Sequence, residues 1–158
     1  MVYDDIIYNS IIDEIVNILN DVREEIQQNM AAKGVNASGR TSDGIRVERY
    51  DNGVRLVLSG ERVAPLATLE VGRRGGKVPT RFADIIEEWS RDKGLQFPRE
   101  TDRRRFAYLT ARKIARQGTI RHELPIDVYS DVVLRGKDRI RKSVKTILTD
   151  YIHENLPK

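Results

Sequence analysis

The chain of 158 residues has no cysteine, two histidines, three phenylalanines and one tryptophan. Each shortage removes a class of chemistry. Without cysteine there is no disulfide framework, no thiolate-bound metal and no cysteine nucleophile. His122 and His153 stand too far apart in sequence for the usual ligand spacing of a zinc site. No uncharged apolar run reaches the ~18 residues that a membrane-spanning helix needs. The N-terminus is acidic and lacks a basic stretch ahead of an apolar one, so no secretory signal is expected. Phenylalanine and tyrosine are scattered, which argues against a sheet of exposed stacking rings of the kind that binds single strands.

What the chain does have is charge, 33% of its residues, beside 39% hydrophobic residues, a balance that suits a soluble, helix-rich protein. At this length one domain spanning 1–158 is expected, burying about two-thirds of the unfolded surface. The net charge of +4 is unevenly placed. Residues 1–32 carry −6, residues 33–72 carry +1, residues 73–121 carry +8 and residues 122–158 carry +1. An acidic end and a basic middle suit binding to an acidic polymer, or to further copies of the same chain.

Hydrophobic spacing predicts an α+β fold: a small antiparallel hairpin within 45–58, a long N-terminal helix and three further helices. Residues 3–32 place Ile7, Ile11, Ile15, Ile18, Leu19, Val22, Ile26 and Met30 on one face, with Gly34 as the stop. At ~1.5 Å per residue this helix exceeds ~40 Å, more than a small core needs, which leaves part of it for a neighbouring subunit. Residues 33–44 read as a loop. In the hairpin, an Asn52-Gly53 type I′ turn would pair Val47 with Leu58 and Arg49 with Leu56. Residues 33–121 thus form the expected α/β core and residues 122–158 a C-terminal helical segment. Pro65–Glu70 suits a short helical turn. Helices are expected from about Thr80 to Lys93, with Phe82, Ile85, Ile86 and Trp89 on one side, and from about Asp102 to Gln117, carrying Phe106, Leu109 and Ile114. Thr101 or Asp102 is the expected cap of the second. The last helix is expected from about Val128 to Asn155, with Gly136 at a bend or irregular start.

The basic, glycine-rich stretch Gly72-Arg73-Arg74-Gly75-Gly76-Lys77 is not a phosphate-binding P-loop. Val71 occupies the position of the first glycine and Val78 that of the hydroxyl residue. It reads equally as an anion-contacting loop or a mobile turn. Arg103-Arg104-Arg105 with Arg112, Lys113 and Arg116 form the densest cationic cluster, with Arg105, Arg112 and Arg116 near one helix face and Arg104 close by. Such a stripe binds phosphates without sequence preference or pairs with an acidic protein surface. Zinc-finger, homeodomain and basic-zipper patterns are absent. Catalytic patterns are missing too: there is no Gly-x-Ser-x-Gly, and the neighbours Asp4-Asp5 and Glu87-Glu88 point to different sides of their helices. Glu70 reads as an anchor for the arginine-rich loop, and Trp89 as a core residue. No enzymatic activity, metal or cofactor is expected.

The strings Ala37-Ser38-Gly39-Arg40-Thr41, Leu69-Glu70-Val71-Gly72-Arg73, Gly76-Lys77-Val78-Pro79, Ile85-Ile86-Glu87-Glu88-Trp89 and Lys93-Gly94-Leu95 occur in that order. They are followed by Phe106-Ala107-Tyr108-Leu109-Thr110-Ala111-Arg112-Lys113-Ile114-Ala115-Arg116-Gln117-Gly118-Thr119. Together they resemble tailed-phage neck and tail-completion proteins, the head–tail connector ring family, over about residues 30–130. Related proteins often carry a second proline where Thr80 stands.

The resemblance implies a small α/β virion protein of the neck or tail, assembled in the host cytoplasm. It implies a homo-oligomeric ring of roughly six or twelve copies, lying between portal or adaptor and tail proteins, with genomic DNA passing through its channel and no membrane involved. Such a ring needs two unlike surfaces that meet. The expected interface residues are Asp13, Glu14, Asp21, Glu24 and Glu25 on one side. Arg73, Arg74, Lys77, Arg104, Arg105, Arg112 and Arg116 stand on the other, with Glu70 beside them. The 32–44 and 72–77 loops are candidates for contact between rings. The alternative is a nucleic-acid-binding module that uses the 103–116 helix.

Overall fold

The computed structural model describes residues 2–35, 38–59, 70–119 and 127–155. Among these, five helices and one hairpin form an α+β fold: α1 (Val2–Ala32), α2 (Arg40–Asp43), β1 (Ile45–Tyr50), β2 (Gly53–Leu58), α3 (Phe82–Asp92), α4 (Glu100–Gln117) and α5 (Ser130–Asn155). The expected turn at Pro65–Glu70 lies, up to residue 69, outside the described residues. No described helix is long and apolar enough to cross a membrane.

Two apolar clusters organise these elements. In the first, Ile18, Val22, Ile26 and Met30, one turn apart on α1, meet Ile45 of β1 and Val128 and Val132 at the start of α5. Leu56 and Leu58 of β2 close it from the sheet side. In the second, Ile86 of α3 packs on Ala107 and Ala111 of α4, with Phe82, Phe106 and Ile114 around them. The α4 face toward α3 is thus a stripe of alanines, Ala107, Ala111 and Ala115, all buried. Small side chains let the two helix backbones approach closely. Leu109, expected in the core, points the other way and is 54% exposed. Trp89 and Ile85, also expected inside, are 40% and 52% exposed, because α4 covers only the Phe82–Ile86–Ser90 side of α3.

Helix ends follow glycine. Gly34 and Gly94 take positive φ, and each ends its helix in the same way. The Val35 amide donates to the Met30 carbonyl at 3.1 Å and the Leu95 amide to the Ser90 carbonyl at 2.9 Å, the six-residue closure of a Schellman motif. Gly118 ends α4. At the start of α4 no side chain caps the helix: Arg99 is the N-cap residue, not Thr101 or Asp102.

The hairpin differs from expectation in register. Its turn is Asp51-Asn52, with Tyr50 opposite Gly53, so Val47 pairs with Leu56 and Ile45 with Leu58. Neither turn residue has positive φ, so the primed turn that Asn52-Gly53 would make is not used. The shift keeps every side chain on its expected face, because pairing partners move by two and the strand period is two. Val47, Leu56 and Leu58 still face α1. Residues 33–44 are not all loop either: Arg40–Asp43 makes one helical turn, whose Ser42 carbonyl accepts from Gln27 Nε2 at 2.9 Å.

Helices α1 and α5 run antiparallel and pack closely at Gly136. A Cβ there would lie 2.5 Å from Val22 Cγ2. The glycine expected at a bend therefore sits inside a continuous helix, where its missing side chain makes room for Val22. Around it, Arg135 pairs with Glu25 and Arg139 with Asp21, while Ser143 donates to Glu14 at 2.8 Å. The two halves of the molecule are joined by polar links. Arg40 of α2 bridges Glu88 at 3.2 Å and Asp92 at 3.1 Å on α3, and Lys93 Nζ donates to the Gly34 carbonyl at 2.7 Å.

Candidate functional site

The residues expected to carry function separate into three places. The first is Glu70, only 4% exposed. Its Oε1 accepts from the amides of Val128 at 2.9 Å, Tyr129 at 3.2 Å and Ser130 at 3.1 Å. Its Oε2 accepts from the Ser130 hydroxyl. Three converging amides at a helix start form an anion seat, and a carboxylate from 58 residues earlier in the chain fills it. Burial raises the Glu70 pKa, but the Ser130 hydroxyl and then the Ser130, Tyr129 and Val128 amides outweigh it, holding the carboxyl below its ordinary 4.5. Glu70 is an anchor as expected, but it holds the start of α5 rather than the arginine-rich loop. Asn29 Nδ2, donating to the Val128 carbonyl at 3.2 Å, and Lys33 Nζ, donating to the Asp127 carbonyl, fix the same turn to α1. Glu70 is therefore fully engaged inside the chain and offers nothing to a partner.

The second place is the glycine-rich loop. It is docked against the end of α4 instead of standing free. The Arg73 amide donates to Thr119 Oγ1 at 3.0 Å, the Thr119 amide returns to the Arg73 carbonyl at 2.7 Å, and the Gly76 amide donates to the Ala115 carbonyl. A Cβ at Gly118 would overlap the Arg73 carbonyl oxygen, and one at Gly75 would overlap that of Arg116. The glycines serve close backbone packing, not ordering upon binding. Gly118 also has φ +76°. Gly118→Ala is therefore expected to release the loop and to destabilise the fold by about 1–2 kcal/mol. Amide hydrogen exchange checks it: protection at Gly76 and Thr119 drops while that of α1 is kept.

The third place is the exposed charge. Of the acidic candidates, Asp13 pairs with Arg49, Asp21 with Arg139 and Glu25 with Arg135, while Glu14 accepts from Ser143 and Glu24 pairs with Arg23 at 3.3 Å. The acidic helix thus spends much of its charge on β1 and α5 of the same chain, not on residues 73–116. On the basic side the triple arginine splits. Arg103 turns inward, donating to Ser90 Oγ at 3.1 Å and stacking over Phe97 at 5.0 Å, whereas Arg104 and Arg105 face solvent. Arg112 bonds the Tyr108 hydroxyl at 2.7 Å and lies over its ring. Arg73 lies over the Phe82 ring at 5.2 Å. Arg74, Lys77, Arg104, Arg105, Lys113 and Arg116 carry no ion pair to a described residue.

The loop brings Arg74 beside Gly118 at the C-terminal end of α4, while Arg105, Lys113 and Arg116 share the outward face of that helix. In its middle, Leu109, Arg112, Lys113, Arg116 and Gln117 line an open depression of about 370 Å³. Sequence reasoning missed Leu109 as a surface residue. The alanine spacing 107–111–115 was the signal that assigns the buried face elsewhere. Among the described residues no group of three His, Asp or Glu side chains is placed to hold a metal ion. Compared with family models, curated proteins and solved structures, the chain matches none.

Proposed function

We propose that the protein is a structural subunit of a tailed-phage virion, one copy of a neck ring that joins portal and head to tail around the DNA channel. The observation that carries this reading is convergence. Parts of the strings that resemble tail-completion proteins, Arg73 and Gly76 on one side and Ala115 and Thr119 on the other, meet at one junction, where Arg73 and Thr119, 46 residues apart, exchange hydrogen bonds and the Gly76 amide donates to the Ala115 carbonyl. Residues that share a resemblance and also share a packing unit form a module, and what surrounds that module is surface for other molecules. Electron microscopy of the purified chain, alone and with a portal ring protein, tests the reading. Ring particles in either sample are expected; a monomer in both overturns it.

A second reading has its own support. Six cations, Arg74, Lys77, Arg104, Arg105, Lys113 and Arg116, have no carboxylate within the described chain, which is what a phosphate-binding face requires. If that face binds duplex DNA, affinity falls steeply with salt. Each of Arg105→Ala, Lys113→Ala and Arg116→Ala then lowers the log–log salt slope by about 1. Binding that ignores salt removes this reading.

A further inference from the structure

Two surfaces of this chain are unsatisfied, and they are unlike. The first is the groove between α1 and α5 on the N-terminal half of α1. From Asp5 to Asn17 no apolar residue of α1 is buried: Ile7, Ile11, Ile12, Ile15 and Val16 are half-covered, and Ile6 is 62% exposed. Across the groove, α5 contributes Ser143 and Ile147. Ile6, Asp13, Glu14 and Ile147, with polar residues between them, line an open volume of about 770 Å³. No lysine or arginine stands on α1 before Arg23, so the α1 wall of the groove carries only acidic charge, Asp5, Asp13 and Glu14 among it. Asp13 remains 66% exposed even while paired with Arg49, leaving lone pairs free to accept more bonds.

The second surface is the outward ridge of α4, Arg105, Leu109, Lys113 and Arg116. Leu109 is an apolar knob with a cation one turn to either side. The ridge from Arg105 to Arg116 and the groove from Ile6 to Asn17 cover equal numbers of helical residues, about 16 Å each. Within one chain the two do not meet, because α4 packs on α3 while α1 and α5 pack on each other.

We propose that α4 of one copy lies in the α1–α5 groove of the next. Leu109 seats against Ile6 and Ile147, and Arg105, Lys113 and Arg116 face Asp5, Asp13 and Glu14. Charge complementarity selects a second copy as the occupant: each face is short of what the other carries, and each places apolar area inside a charged rim, the arrangement that excludes water from a contact. The contact is heterologous, so it leaves a free groove and a free ridge at the two ends of any pair, and it closes into a ring when the rotation allows. It rests on the reading of the chain as a ring subunit and gives that subunit its two mating surfaces. Asp21 and Glu25, spent on α5, take no part.

A chain without cysteine makes the test direct. Ile6→Cys and Leu109→Cys are prepared as single variants, mixed in equal amounts and oxidised. Disulfide-linked dimer is expected in the mixture, about tenfold above either variant alone. Adding Arg105→Glu with Lys113→Glu to the Leu109→Cys chain removes the product, because like charges then face each other. Placing Asp13→Lys with Glu14→Lys in the Ile6→Cys chain restores it. The proposal is overturned if the mixture gives no dimer, or if Ile6→Cys alone links as well as the mixture. Negative-stain images of the unmodified chain separate this outcome from the fate of the ring reading. Linking without closed rings keeps the contact and sinks the ring; closed rings without linking sink the contact alone.

Discussion

Glu70→Ala is expected to destabilise the protein by about 3–5 kcal/mol at neutral pH, seen as a fall in melting temperature of roughly 10 °C. The substitution removes one buried carboxylate and strands four donors: the amides of Val128, Tyr129 and Ser130 and the Ser130 hydroxyl. Unpaired buried donors cost far more than the net worth of the bonds they had made. The loss also propagates, because Val128 and Val132, which this turn positions, are both buried in the larger apolar cluster. Glu70→Gln keeps an acceptor of the same shape without the charge and is expected to lose about 1–2 kcal/mol.

The pH dependence separates charge from shape. The folded carboxyl titrates below its ordinary 4.5, so the folded state binds fewer protons than the unfolded state in that window. The contribution of Glu70 is fully present above the ordinary value and is lost as pH falls through the lower folded one. Denaturation at several pH values checks it. The gap between the native chain and Glu70→Gln should be constant at neutral pH and close in acid. A gap that stays open below the folded pKa would mean that shape, not charge, carries the effect.

Gly136→Ala carries the second large effect. The added Cβ would lie 2.5 Å from Val22 Cγ2, and valine in a helix has essentially one χ1 rotamer, so it cannot turn aside. The helices must separate, which strains the Glu25–Arg135 and Asp21–Arg139 pairs on either side. Overpacking of this kind costs about 1–3 kcal/mol, offset by the better helix propensity of alanine, about 1 kcal/mol. Val22→Ala alone is expected to cost about 2 kcal/mol by opening a cavity. Combined, the two changes compensate, since the new methyl enters the space that the valine leaves. A coupling of about 1–2 kcal/mol in a denaturant double-mutant cycle is the expected result. Strict additivity would show that the two helices do not touch at this point.

Much of this architecture is legible in the chain alone. The i, i+4 spacing of Ile18, Val22, Ile26 and Met30 marks the face of α1 that is buried, and Gly34, Gly94 and Gly118 mark three helix ends, because only glycine takes positive φ without strain. The two hairpin strands are legible from their alternation, and the faces survive a register displaced by two. Where hydrophobicity by itself misleads is α3 and α4. Trp89, Ile85 and Leu109 look like core and are surface, while Ala107, Ala111 and Ala115 look bland and are core. Close helix packing selects small side chains, and a scale of hydrophobicity does not record closeness.

The sequence by itself determined the four long helices and the two strands, the separation of acidic from basic charge and the absence of thiol chemistry. These depend on residues near one another in the chain, or on composition alone. Only the tertiary structure decided where that charge is spent. It gave Asp13, Asp21 and Glu25 to arginines of β1 and α5, and Glu70 to a helix start 58 residues away. It left Arg105, Lys113 and Arg116 without an ion pair among the described residues. The physical reason is range. An ion pair or a buried cap is worth its energy only within a few ångströms, and that distance is fixed by how helices cross, which no local pattern of residues records.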